Sequence, residues 1–235
     1  MSRTWILFAI GLALYLHSSA QTNYKEGIVI GNNGDTLRGK IDYRNWRSNP
    51  KVVRFQHTNG QVTTYTPMDI RSFEVIEADE SYVSASVTMD PLAEDPNKAL
   101  QDINGEADQE ETRFLLRLVH HPTISLLLLT KGDRNHFYYR KGTEKPVELI
   151  HHFEIDKVTD QLTEVKLYQS QLATILSPCP SSIKDLDHIR YQTEDLRKAF
   201  QIYLQCTEGV KPEVHSKKES TVIRFGLVAG LSHTQ

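Results

Sequence analysis

Hydrophobic and polar positions alternate with a period of two through the first part of the chain. Ile28-Val29-Ile30 leads into Asn32-Asn33-Gly34-Asp35, and Leu37, Gly39, Ile41 and Tyr43 then fall on every second position. Asn-Gly between two such runs predicts a hairpin, because both residues tolerate a positive φ. A second hairpin is predicted from Val52-Val53-Arg54-Phe55, Asn59-Gly60 and Val62-Thr63-Thr64-Tyr65, with further strands at Ile70 to Ile76 and Tyr82 to Val87. Half-buried antiparallel sheet follows.

Residues 90–111 interrupt this pattern with eight acids, one lysine, two prolines and one glycine. Such a stretch buries too little apolar surface to offset its ordering entropy, so it reads as a solvated, mobile loop or linker. The calcium-loop ligand spacing is missing from it. Strand character returns at Phe114 to His120, Ile124 to Thr130, His136 to Arg140 and Val147 to Ile155. Leu126 to Leu129 is too short to span a membrane and predicts a strand buried on both faces.

Two helices are predicted next. Glu164 to Leu176 places Val165, Tyr168, Leu172 and Ile175 near helical spacing, and Glu194 to Leu204 does the same with Leu196, Phe200, Tyr203 and Leu204, with Thr193 as its N-cap. Residues 207–220 read as a polar linker. Thr221 to Ser232 then alternates over nearly ten residues, the length of a transmembrane β-strand. The expected fold class is therefore α+β, a mainly antiparallel β domain followed by two helices, with an orphan barrel-type strand at the C-terminal end.

The N-terminus sets the compartment. Arg3 precedes an apolar run of twelve residues from Trp5 to Leu16, and small residues at Ser18 and Ala20 fit cleavage after Ala20. As a helix the run would span roughly 18 Å, against a hydrocarbon core of about 30 Å, so a cleaved signal peptide over 1–20 is favoured over a retained anchor. Gln21 follows the cut in place of the cysteine that a lipid anchor needs. The organisation expected is thus signal peptide 1–20, β-rich domain with its helix pair 21–206, linker 207–220, and the start of a barrel at 221–235.

Composition narrows the function classes. A net charge of −3 argues against a nucleic-acid partner, which calls for a basic stripe. No N-x-S/T triplet is present, which leaves bacterial export as the simpler context. The two cysteines, Cys179 and Cys206, read as a disulfide in an oxidising compartment, with two free buried thiols as the alternative.

The run Gly27-Ile28-Val29-Ile30, Asn33-Gly34-Asp35-Thr36-Leu37, Gly39 to Trp46 and Asn49-Pro50 resembles the start of a soluble N-terminal region in Bacteroidetes-type outer-membrane β-barrel proteins. The resemblance implies a signal peptide, a β-rich periplasmic or surface domain, a pair of Cys-bearing helices, and a barrel opening with an FGxxAG-like strand, matched here by Phe225 to Gly230. A barrel needs about eight strands and one fits, so the chain reads as a truncated barrel protein or an N-terminal fragment.

Little in the sequence points to catalysis. Ten histidines include His120-His121, His136 and His151-His152, but neighbours on a strand point to opposite faces, and they read as edge and surface residues with no metal site. Asp35, Asp42, Asp69, Glu74 and Glu154 could supply a carboxylate pair, although nothing fixes their separation. Nucleophile-elbow, zinc-protease, Walker and dinucleotide motifs are absent, and no cofactor is implied. Asp42, Tyr43, Arg44 and Trp46 form the best candidate recognition surface, against the alternative of a strand end with Trp46 packed over the core. The expected role is a non-enzymatic envelope protein that binds or scaffolds, in the periplasm or at the outer membrane, with the membrane or an envelope protein as partner. The alternative is a free secreted enzyme of hydrolase-like class.

Overall fold

The computed structural model describes residues 23–94, 110–156, 159, 161–211 and 213–214. The expected signal peptide, most of the acidic segment and the barrel-type strand expected within 221–235 lie outside these residues.

Elements follow in chain order as β1 (Tyr24–Gly31), β2 (Thr36–Asp42), β3 (Val53–His57), β4 (Val62–Tyr65), β5 (Ile70–Val75), β6 (Glu80–Val87), α1 (Pro91–Glu94), β7 (Glu111–His120), β8 (Ile124–Lys131), β9 (Arg134–Lys141), β10 (Val147–Glu148), β11 (His152–Ile155), β12 (Leu162–Val165), α2 (Leu167–Ile175), α3 (Thr193–Glu208) and β13 (Glu213–Val214). The main sheet has the order β10-β9-β8-β7-β6-β5-β1-β2-β3-β4, with β13 added alongside β7, and β11 and β12 form a separate ribbon. Every pairing is antiparallel. The α+β class with a mainly antiparallel sheet is what the sequence pattern predicts.

Local chemistry sets the N-terminal hairpins. Gly34 takes φ +93° at the β1–β2 turn, a conformation open to glycine, and the Gly34 N–H donates to Gly31 O at 3.0 Å. Gly39 has a different reason to be glycine: a Cβ there would stand 2.3 Å from Gln56 O and 2.6 Å from the Phe55 ring, so the ring of β3 lies directly over the β2 backbone.

Both faces of the sheet bury apolar side chains, on alternate residues. One face carries the larger core, where Val29, Phe55, Phe73, Phe114, Leu126, Leu128 and Phe137 meet Leu172 of α2 and Leu196, Phe200 and Leu204 of α3. On the opposite face Val83, Leu115, Leu127, Leu129 and Tyr138 form a smaller cluster. The four consecutive leucines thus divide between two cores, which is why the run shows no polar positions.

The loop between β2 and β3 crosses this architecture. Asn49 Nδ2 donates to Phe114 O and to Leu128 O, each at 2.8 Å, while its Oδ1 accepts the Thr130 N–H at 3.0 Å. The Asn49 N–H also donates to Thr130 O at 3.0 Å. The ladder of β7 and β8 ends at Leu116 and Leu128, and beyond that point Asn49 supplies the partners that the strands no longer give each other.

Three expectations are corrected. Leu162–Val165 is a strand paired with His152–Ile155, so the first long helix begins at Leu167 rather than Glu164. Thr193 is the first residue of α3, and the extended Gln192 precedes it without a side-chain cap. That helix continues through Glu208 and stops at Gly209 in the left-handed conformation, beyond the expected end at Leu204 and into the stretch read as a linker.

Candidate functional site

The turn after β2 buries most of the recognition surface expected there. Asp42 is 6 % exposed and pairs with Arg44 Nη2 at 3.1 Å and Arg54 Nη1 at 3.6 Å. Tyr43 is 3 % exposed, and its hydroxyl donates to Glu80 Oε1 at 2.9 Å. Tyr82 donates to the other oxygen, Oε2, at 2.6 Å, so two phenols satisfy a carboxylate that is fully buried. Burial, reinforced by the Glu80 charge, holds both phenols above the ordinary tyrosine range. Trp46 lies edge-on to Tyr43, Phe73 and Tyr82 at 5.0, 5.9 and 5.8 Å. Arg44 alone of the four presents a mostly exposed side chain. Asn45, at φ +50°, turns the chain so that Trp46 covers the core.

A second polar cluster joins elements distant in sequence. His136 Nδ1 lies 2.7 Å from Glu148 Oε1, and Glu148 Oε2 accepts the Asp90 N–H at 2.7 Å. The Asp90 carboxylate in turn meets His152 Nδ1, and His152 Nε2 stands 3.8 Å from Glu154 Oε2. The hairpin register explains the first contact: Glu148 pairs with Tyr138, which puts His136 diagonally adjacent on the same face. The chain of carboxylates and imidazoles runs outward, from His136 at 1 % side-chain exposure to Glu154 at 43 %. Burial raises the Glu148 carboxyl above its ordinary value, against the opposing pull of His136 and the Asp90 N–H. His136 is therefore an interior residue, not the surface histidine its sequence context suggests.

The β11–β12 ribbon is tied to the helical layer through aromatic rings. His151 stacks on Tyr191 at 4.7 Å, meets Tyr168 edge-on at 5.7 Å, and reaches Glu164 Oε1 at 2.9 Å. Tyr191 donates to Leu149 O at 2.7 Å and accepts the Phe137 N–H at 3.1 Å. Away from this anchor the ribbon exposes Phe153, 41 % accessible, and Leu162, 62 %, and the first residue of α2, Leu167, is 51 % accessible. Cys179, which follows α2, is joined by a disulfide to Cys206 in the last turns of α3, with Cα atoms 6.0 Å apart.

Other expected carboxylates are engaged locally. Asp69 accepts from Thr66 through backbone and side chain, each at 2.7 Å, and Asp35 accepts from Asn33 Nδ2 at 2.5 Å. Among the described residues, no group of three His, Cys, Asp or Glu side chains is placed to hold a metal ion.

Sequence reasoning missed Glu80, Glu148 and the depth of His136. The signal that was available is weak: Glu80 opens a strand directly after Asp79, which takes φ +54°. No protein-family model, curated protein or solved structure matches this chain.

Proposed function

We propose that this protein is a non-enzymatic component of the bacterial cell envelope, a soluble periplasmic or surface domain that binds or scaffolds a membrane or protein partner ahead of a barrel segment at 221–235. The observation that carries this reading is the β11–β12 ribbon. A two-stranded ribbon is marginal on its own, and this one turns Phe153 and Leu162 toward solvent, with Leu167 exposed at the start of α2 just after it, while His151 fixes its base to the core. Exposed apolar side chains of this kind suit a docking face. The resemblance of the N-terminal run to barrel-associated domains and the disulfide both fit an exported setting.

Expression of the whole chain in a bacterial host, followed by envelope fractionation, tests the proposal. Mature protein starting at Gln21 is expected in the membrane-associated fraction, and the Phe153→Ser, Leu162→Ser, Leu167→Ser variant is expected in the soluble fraction with unchanged circular dichroism. Retention of Met1, or an unchanged distribution of the variant, overturns it.

One observation favours a second reading, a secreted hydrolase-like enzyme. The His136–Glu148 pair joins an imidazole to a carboxyl of raised pKa, the components of acid–base chemistry. Both groups are nearly inaccessible, at 1 % and 8 % exposure, which places them behind the surface a substrate would touch. Loss of a measured hydrolytic activity in Glu148→Gln with an intact fold would favour the enzyme.

A further inference from the structure

The geometry points to a site of thiol–disulfide exchange in which a small thiolate attacks Cys206 and the Cys179 sulfur leaves, assisted by a hydrogen bond from Ser181. This site is independent of the apolar ribbon and of the docking reading.

Access separates the two sulfurs. Cys179 is fully buried, at 0 % exposure, just ahead of the short helical turn Pro180–Ser182. Cys206 is an exposed residue in the last turn of α3. A thiolate has to approach the sulfur it attacks from the side opposite the bond that breaks. A nucleophile from solvent therefore meets Cys206 and not Cys179.

The surroundings favour the same direction. A disulfide opens faster when the departing sulfur carries negative charge more easily, and burial alone would oppose that charge on Cys179. Ser181 meets this need. Its hydroxyl lies 3.0 Å from Cys179 Sγ, and because a disulfide sulfur has no proton, the hydroxyl is the donor. Such a bond strengthens as the sulfur becomes a thiolate. Cys206 is placed the other way: the carbonyl end of α3 opposes negative charge there, and the last turn of the helix holds no basic residue.

The exchange balances without a further reactant. The incoming thiolate forms an S–S bond to Cys206, the Cys179–Cys206 bond breaks, and its electron pair leaves on Cys179 as a thiolate. A second thiolate then displaces Cys206 from the mixed disulfide, so two external thiols are oxidised to one disulfide while the protein gains two. The Pro180–Ser182 turn and α3, which the bond ties together, both line a cleft of about 260 Å³, Ser181 and Ser182 from the turn and Lys198, Ala199 and Ile202 from the helix. Attack at Cys206 unties these two linings.

Reduced glutathione supplied to the folded full chain tests the site. The reaction is quenched with acid, alkylated with N-ethylmaleimide in denaturant and mapped by peptide mass spectrometry. Glutathione is expected on Cys206 in at least about tenfold excess over Cys179, and about evenly on both when the chain is first unfolded in urea. Ser181→Ala should slow reduction of the folded chain about three- to tenfold while leaving its urea midpoint and its reduction rate in urea unchanged. Ser181→Thr keeps the hydroxyl and should restore the rate. The proposal is overturned if the folded chain is not reduced, if glutathione is found on Cys179 as often as on Cys206, or if Ser181→Ala is reduced as fast as the wild type.

Discussion

His136 Nδ1 and Glu148 Oε1 stand 2.7 Å apart with both side chains almost wholly withdrawn from solvent. Burial dominates the carboxyl and raises its pKa, so its contribution to stability is fully present below the ordinary value of 4.5 and is lost as the pH rises above it. Glu148→Gln keeps an acceptor for the Asp90 N–H but carries no charge. It should match the wild type in urea denaturation below pH 4.5 and gain on it steadily toward neutrality. A gap that moves the other way would show that the pairing with His136 outweighs the burial.

Asn49→Ala removes three side-chain hydrogen bonds and leaves the carbonyls of Phe114 and Leu128 and the Thr130 N–H without those partners. At the usual cost of unsatisfied groups the variant should lose about 3–5 kcal/mol, read from chemical denaturation. Asn49→Asp keeps the acceptor, loses the donors and should lose nearly as much.

The hairpins and the tetraleucine strand were legible because their signals are local. Asn33-Gly34 and Asn59-Gly60 specify their own turns, and Leu126 to Leu129 reads as buried whatever lies around it. The polar clusters were not legible. Glu80 meets Tyr43 across 37 positions and Asp90 meets His152 across 62, contacts that exist once strand order and register are set. The end of the Leu162–Val165 strand, from Glu164, reads as helix because Val165, Tyr168 and Leu172 fall at helical spacing, and four residues of strand carry no competing periodicity. Of the expected recognition surface, Tyr43 and Trp46 were drawn inward by Phe73, Tyr82 and Glu80, all of which come later in the chain.

Reduction of the Cys179–Cys206 disulfide, which spans a sequence separation of 27, should lower stability by about 3.5 kcal/mol in the chain-entropy treatment. Calorimetry with and without reductant measures this, and alkylation of the denatured, unreduced chain should find no free thiol.

Tyr43, Tyr82 and Tyr191 have phenols raised by burial above the ordinary value of 10.0, so each contributes stability below that pH and withdraws it as the pH rises further. Their phenolate absorbance should appear together with loss of circular dichroism at alkaline pH rather than ahead of it. Tyr82→Phe removes one of the two donors to Glu80 and should cost about 1.5–3 kcal/mol, the usual value of a hydrogen bond to a charged group.

The Asn49 crossing also sets a clock. Its partner Thr130 lies 81 residues further along, so at a synthesis rate of roughly 5–20 residues per second Asn49 waits about 4–16 s for the groups that hold it. Until then the first four strands have no way to close onto the seam between β7 and β8. Strands β1 to β6 find all their mutual partners within residues 24–87, so the part of the amino-terminal half that stays unfastened during this interval is the β2–β3 loop that carries Asn49.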